Sequence, residues 1–157
     1  MIPEKVKRVL EKYELQAVEF EEGSTPTAHT AAQKLCVSRG QIAKSLLFLG
    51  KNKRFYLIIC PGDRKVSSSK LKQSIGVKTR MANVDETLQA TGYLPGGVCP
   101  FGIEGIDIYL DENLKEYETI YPAAGTNASG VPMTFKQLVK ITKGRICDLT
   151  LRIENSK

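Results

Sequence analysis

The chain has 157 residues with 23 Lys+Arg against 17 Asp+Glu, a formal charge of +6. That length fits one domain, and a chain of this size buries roughly two thirds of its unfolded surface, enough to fold without disulfides or a metal. Apolar (41%) and charged (25%) fractions exclude wholesale disorder, and no run approaches the roughly 18 apolar residues of a membrane span. The positive charge is concentrated. Residues 51–80 hold nine Lys/Arg and one acid, Asp63, a local charge of +8, whereas the other 127 residues carry 14 basic and 16 acidic side chains. One basic block suggests a surface that meets a polyanion.

The elements follow in chain order. Pro3 suits a first helical turn, and Val6, Val9, Leu10 and Tyr13 repeat at helical spacing, so the N-terminus predicts an amphipathic helix with no signal-peptide core. A cytoplasmic protein is expected. Gln16–Glu21 alternates and predicts a strand; Thr27–Leu35 predicts a helix, and Ser38 caps a short turn through Ile42. Lys44–Leu49 and Arg54–Cys60 are the strongest strands, joined as a hairpin by Gly50–Lys53. Ser67–Ile75 is a helix ended by Gly76, Val77–Met81 a strand, and Asn83–Thr91 a helix between an Asn cap and Gly92. Ile106–Leu110 and Thr119–Tyr121 are strands, Thr134–Thr142 a helix, and Arg145–Leu151 a closing strand. Seven strands interleaved with five helices predict a mixed α/β or α+β single domain.

Lys44 heads a strand among Ala43, Leu46, Leu47 and Phe48. It is either a snorkelling edge lysine or a fixed cation for a phosphate, carboxylate or oxyanion. Alternation puts Ser45 on the opposite face. Gly92–Gly102 holds four glycines and two prolines in eleven residues. It reads as an ordinary connection or as a rigid loop whose Gly96-Gly97 backbone approaches a ligand. It is neither G-x-G-x-x-G nor a Walker loop. His29, the single histidine, reads more simply as a surface or capping residue than as a base, and Ser67–Ser69 as a cap. Cysteines at 36, 60, 99 and 147 form no C-x-x-C pair and read as free thiols, with no metal or cofactor expected.

Several segments together carry a resemblance. AKSLLF (Ala43–Phe48), the basic strand–helix stretch ending at Ile75-Gly76, TGYLPGGVCPFG (Thr91–Gly102) and ETIYPAAG (Glu118–Gly125) occur in one order and spacing. The chain resembles the YbaK/ProX-type aminoacyl-tRNA deacylases, free-standing relatives of the editing domain of prolyl-tRNA synthetases, over nearly its whole length. The resemblance implies one domain over residues 1–157 with a strongly curved mixed sheet. It implies a metal-free trans-editing hydrolase that cleaves the ester of a misacylated tRNA, typically tRNA-Pro, and the small size of Thr27, Ser45 and Ala124, if they line the pocket, suits a small amino acid such as Ala, Cys, Ser or Thr. The family's key lysine falls on Lys44, its hydroxyl neighbour on Ser45, its backbone donor on Gly96 with Gly97 beside it, and pocket positions on Thr27, Ala124 and Gly125. Phe20 stands where some members carry a tyrosine, and Pro132 lies where some carry an acid. The expected partner is the acceptor end of tRNA, met by Lys51, Lys53, Arg54, Lys70 and Lys72. Prolyl-tRNA synthetase is a further partner, and no membrane or DNA is expected; the chain reads as a monomer. The alternatives are a non-catalytic tRNA-binding or synthetase-associated module on the same fold, and a hydrolase of small esters or aminoacyl-adenylates with no RNA partner.

Overall fold

A computed structural model describes residues 1–153. Five helices form: α1 Glu4–Lys12, α2 Ala28–Leu35, α3 Ser68–Ile75, α4 Val84–Thr91 and α5 Phe135–Thr142. Their starts are set by local chemistry. Thr27, Ser67, Asn83 and Thr134 each accept a hydrogen bond from the backbone N–H three residues on, at 2.8–3.2 Å, which satisfies one of the donors a helix start leaves open. Gly76 and Gly92 end α3 and α4 in the left-handed conformation, at φ 95° and 82°.

The strands are β1 Val18–Glu19, β2 Ala43–Gly50, β3 Phe55–Pro61, β4 Arg64–Val66, β5 Thr79–Met81, β6 Asp107–Asp111, β7 Ser129–Gly130, β8 Arg145–Cys147 and β9 Thr150–Arg152. A five-stranded sheet runs β5-β2-β3-β6-β8, and two-stranded ladders join β1 to β7 and β4 to β9. β2 pairs antiparallel with β3 and β5, whereas β3–β6 and β6–β8 are parallel, so the central sheet is mixed. The fold is a mixed α+β domain, as expected, but its strands are divided differently from the sequence-based expectation.

Gln16–Glu21 contracts to β1, held by Val18 opposite Gly130. Thr119–Tyr121 is not a strand; it makes isolated bridges, Tyr121 to Ile42 and Ile120 to Met133. Arg145–Leu151 breaks in two because the buried Asp111 carboxylate takes donors from its middle. Leu149 N–H donates to Oδ1 at 3.0 Å and the Thr150 hydroxyl to Oδ2 at 2.7 Å. A buried carboxylate without such donors is costly, so the chain turns there and β9 pairs with β4 instead.

Strand β3 is buried from Tyr56 through Pro61, as befits a central strand covered on both faces. One face of β2 and β3 (Ala43, Leu47, Leu57, Ile59) packs with Val6, Leu10, Phe101, Leu110 and Leu138. The other (Phe48, Tyr56, Ile58) packs with Leu71, Tyr109 and Leu149. Each such fully buried Leu or Ile contributes about 1.5–3 kcal/mol, so the sheet is a rigid support for whatever lies at its edge.

Candidate functional site

Strand β5 pairs only with Phe48–Gly50 of β2. The first half of β2 therefore has a free edge, and a cavity of about 190 Å³ opens along it, bordered by Ala43, Lys44, Ser45 and Leu46. Odd-numbered residues of β2 turn their backbone groups toward this edge. Ala43 N–H donates to Tyr121 O at 3.2 Å and Leu47 O accepts from Ala82 N–H at 2.9 Å. Ser45, between them, directs its N–H and C=O the same way, where no strand pairs with it. Its hydroxyl oxygen is buried with no hydrogen-bond partner among the described residues. An orphaned buried hydroxyl costs free energy that a bound polar group recovers.

Alternation holds: Lys44 and Ser45 leave β2 on opposite faces, yet both border the cavity because it straddles the strand edge. The Lys44 Nζ donates to the main-chain carbonyl of Arg64 at 2.8 Å. The ammonium is thereby fixed at the rim, part-buried, with two N–H donors left over.

The facing wall is the segment Thr25-Pro26-Thr27 leading into α2, with Ala28 and Ala31 beyond it, and Gly96 and Val98 of the glycine loop. Two glycines are sterically required. Gly96 has φ +91°, and a Cβ there would meet Pro26 O at 3.0 Å. A Cβ on Gly97 would press on the Thr126 backbone at 3.0 Å. The loop is thus wedged between residues 25–27 and 126–127, and those strips are tied together by Thr25 N–H donating to Asn127 O at 2.6 Å and Ser129 N–H to Thr25 Oγ1 at 3.2 Å. Gly97 N–H closes its own turn on Leu94 O at 2.9 Å. Gly96 N–H has no partner among the described residues. The loop's base is clasped by Lys5, whose Nζ donates to Thr91 O at 2.7 Å and lies 4.4 Å from the Tyr93 ring centre. The Tyr93 hydroxyl donates to the Phe101 carbonyl across the loop.

Lys44, Ser45, Thr27 and Gly96 are brought together on one cavity. Ala124 and Gly125 are not on its wall. Ala124 is fully buried behind it, its N–H donating to Ser129 Oγ at 3.0 Å, and Gly125 packs against Pro3 and Tyr93. Their neighbour Ala123 faces the cavity instead. Thr25, Pro26, Ile42, Val98, Tyr121 and Ser129 also border it. None stands out in sequence, although Val98, inside TGYLPGGVCPFG, and Tyr121, inside ETIYPAAG, belong to segments that carry the resemblance. The basic candidates lie elsewhere. Lys51, Lys53 and Arg54 sit at the β2–β3 turn, seven or more residues from Lys44 along β2, roughly 20 Å at the strand rise. Lys70 is engaged by Asp148 at 2.9 Å, and Lys72 is exposed in the last turn of α3.

No histidine, carboxylate or cysteine is among the described residues bordering the cavity. Cys60, opposite Lys44 in the ladder, has its thiol pushed up to about 12 by burial, and burial does the same to Cys99. Both stay protonated at neutral pH, and the thiolate is the reactive form. His29 is exposed. The cavity offers a fixed cation, backbone donors and acceptors, and hydroxyls, lined by small apolar side chains. Such a site can hold an already activated acyl group and stabilise negative charge on it.

The model of the aminoacyl-tRNA editing domain family matches residues 22–141, which takes in β2, the glycine loop and the whole cavity wall. The chain belongs to the aminoacyl-tRNA editing domain family. It is 39% identical over 134 residues to the uncharacterized protein YwhH of Bacillus subtilis, covering 85% of each chain. It is 24% identical over 150 residues, 92% of each, to an Enterococcus faecalis protein, EbsC, named as a candidate Cys-tRNA(Pro)/Cys-tRNA(Cys) deacylase. Among solved structures, a candidate trans-editing enzyme for prolyl-tRNA synthetase superposes with TM-score 0.86 at 33% identity, over 96% of this chain and 99% of that one.

Proposed function

We propose that the protein is a trans-editing deacylase that hydrolyses the ester joining a small amino acid (Ala, Cys or Ser) to tRNA-Pro. The observation that carries this is the cavity itself: about 190 Å³, small apolar walls, one tethered lysine and one unpartnered loop N–H, at the strand edge. Membership of the editing-domain family supports the ester of a tRNA as the substrate.

An aminoacyl ester is activated relative to an amide, so the protein need not supply a strong nucleophile, and its buried cysteines supply none. Gly96 N–H donates to the carbonyl oxygen as negative charge develops there. Lys44, anchored on Arg64 O, places its positive charge beside the ester and the terminal ribose. The Ser45 carbonyl and hydroxyl accept from the α-ammonium, which meets no carboxylate among the described residues of the cavity. Water, a ribose hydroxyl or the substrate's own side chain attacks. Thr27, Ala31 and Ala123 bound the side-chain space, which admits small residues and refuses large ones. Size exclusion of this kind removes errors that a synthetase pocket separates by only about 1–3 kcal/mol per methylene.

The test is a deacylation panel with purified protein and tRNA-Pro charged with Ala, Cys, Ser, Pro or Phe. Release of the small amino acids with Phe untouched is expected. Preference for Phe, or release of none, rejects the reading.

A further inference from the structure

A second depression, of about 490 Å³, lies beside the cavity and carries three arginines, Arg39, Arg64 and Arg152. The two share a wall. Pro61, which borders the second depression, is the ladder partner of Ala43, which borders the first. Arg64 gives its main-chain carbonyl to Lys44 at 2.8 Å. The Arg64 guanidinium is fixed in turn, donating to Thr150 Oγ1 at 2.7 Å and more weakly to Thr150 O at 3.4 Å.

The surroundings are mixed rather than uniformly basic. Asp63, Glu116 and Tyr117 complete the rim. Burial first, then Asp63 and Glu116, push the Tyr117 hydroxyl above its usual range, so it remains a donor at neutral pH. Among the described residues no ion pair joins these arginines to these acids, so both kinds of group keep free hydrogen-bonding capacity. Guanidinium groups suit phosphate oxygens. Carboxylates suit the exocyclic amine of cytosine. Both together suit an unpaired nucleotide, whose base edge and phosphate are read at once.

Chain geometry favours this place. With an aminoacyl group in the cavity, the first phosphodiesters behind the esterified ribose fall beside the cavity. The hairpin lysines, roughly 20 Å away along β2, are out of their reach.

We propose that the Arg39–Arg64–Arg152 cleft binds the single-stranded 3′ end of RNA, holding the phosphodiesters and one unpaired base next to the esterified nucleotide. This rests on the cavity being the aminoacyl-ester site. The experiment uses the double variant Arg39→Gln/Arg152→Gln. Both residues are exposed, and Arg64 is left in place because its carbonyl holds Lys44. Binding of a labelled RNA oligonucleotide ending in CCA is read by fluorescence anisotropy. The expected result is at least tenfold weaker binding by the variant, with a salt slope lower by about one per arginine removed. Equal affinity, or displacement by inorganic phosphate as effective as by unlabelled oligonucleotide, overturns the proposal. In turnover, KM for misacylated tRNA rises about tenfold in the variant, while hydrolysis of 3′-aminoacyl-adenosine, which has no phosphate, is unchanged. An unchanged KM for tRNA overturns the proposal. If the wild type cleaves neither substrate, the deacylase reading fails and the oligonucleotide arm alone decides the cleft. Binding by wild type that is lost in the variant then supports it, and no binding by wild type rejects it.

Discussion

The Lys44 ammonium donates to the Arg64 main-chain carbonyl at 2.8 Å. This one hydrogen bond links the free edge of β2 to β4. It holds a long, rotamer-rich side chain in one orientation before any ligand arrives. Pre-fixing such a side chain avoids about 0.5–1.5 kcal/mol of ordering cost on binding.

Gly96 lies across the cavity from Lys44, and its conformation is not replaceable. At φ +91°, with a Cβ site 3.0 Å from Pro26 O, Gly96→Ala introduces about 1–3 kcal/mol of backbone strain and moves the loop N–H. Turnover falls by about 10²–10³, the usual effect of losing one oxyanion donor, while thermal unfolding shows a modest drop and a folded protein. Near-normal turnover with the same drop in stability would show that Gly96 shapes the loop only.

Much of this was legible in sequence, and the losses have physical causes. The five helices announce themselves: α1 by its apolar repeat behind Pro3, and the other four by an apolar repeat behind a capping Ser, Thr or Asn, as at Asn83 with Gly92. Lys44 and Gly96 were legible as a lysine on an apolar strand and a glycine between two prolines. The broken strand at 145–151 was not, because it depends on Asp111, some 38 residues away in sequence. The cavity wall at Thr25, Ile42 and Ser129 was equally hidden, since the free edge of β2 exists only once β5 stops short at Phe48. Ala124 and Gly125 show the same limit at finer scale: the segment was found, but which residue faces the cavity is set by the Ala124–Ser129 hydrogen bond.

Lys5 ties α1 to the base of the glycine loop through Thr91 O and the Tyr93 ring. A hydrogen bond from a charged group and a cation–π contact together are worth about 2–4 kcal/mol. Lys5→Met keeps the stem and loses both. The expected outcome in denaturant unfolding is an unfolding free energy lower by that amount, seen as a lower midpoint with unchanged slope. No change in midpoint would mean the clasp is energetically silent.

The acid limb of stability has one assignable contributor. Two hydrogen bonds from the Arg80 guanidinium (2.7 and 2.9 Å), then the Asn83 N–H (2.9 Å), lower the Glu86 carboxyl to about 2 from 4.5. The folded-state value lies below the unfolded one, so the contribution is complete above about pH 4.5 and lost as pH falls toward 2. Glu86→Gln keeps the cap acceptor and removes the charge. Urea unfolding should therefore show the variant less stable at pH 7 and equal to wild type near pH 2. An equal deficit at both pH values would contradict the assignment.

The hairpin end of β2 carries Lys51 and Lys53, both exposed and outside every ion pair among the described residues. If the 3′ end of a tRNA enters the cavity, their distance from Lys44 places them beside the body of the tRNA rather than its 3′ end. Lys51→Ala/Lys53→Ala should weaken tRNA binding and reduce the salt slope by about two, with the single-turnover rate of saturated complex unchanged. A slope equal to that of wild type would remove the hairpin from the tRNA surface.

The most direct measurement is single-turnover deacylation of Ala-tRNA-Pro by saturating wild type and Lys44→Ala, with thermal unfolding of both. The account predicts that the variant loses at least about 10²-fold in rate, in line with the loss of one charge-stabilising group, while it unfolds within a few degrees of wild type. A Lys44→Ala protein that releases alanine at the wild-type rate would show that hydrolysis, if it occurs, happens away from this strand edge.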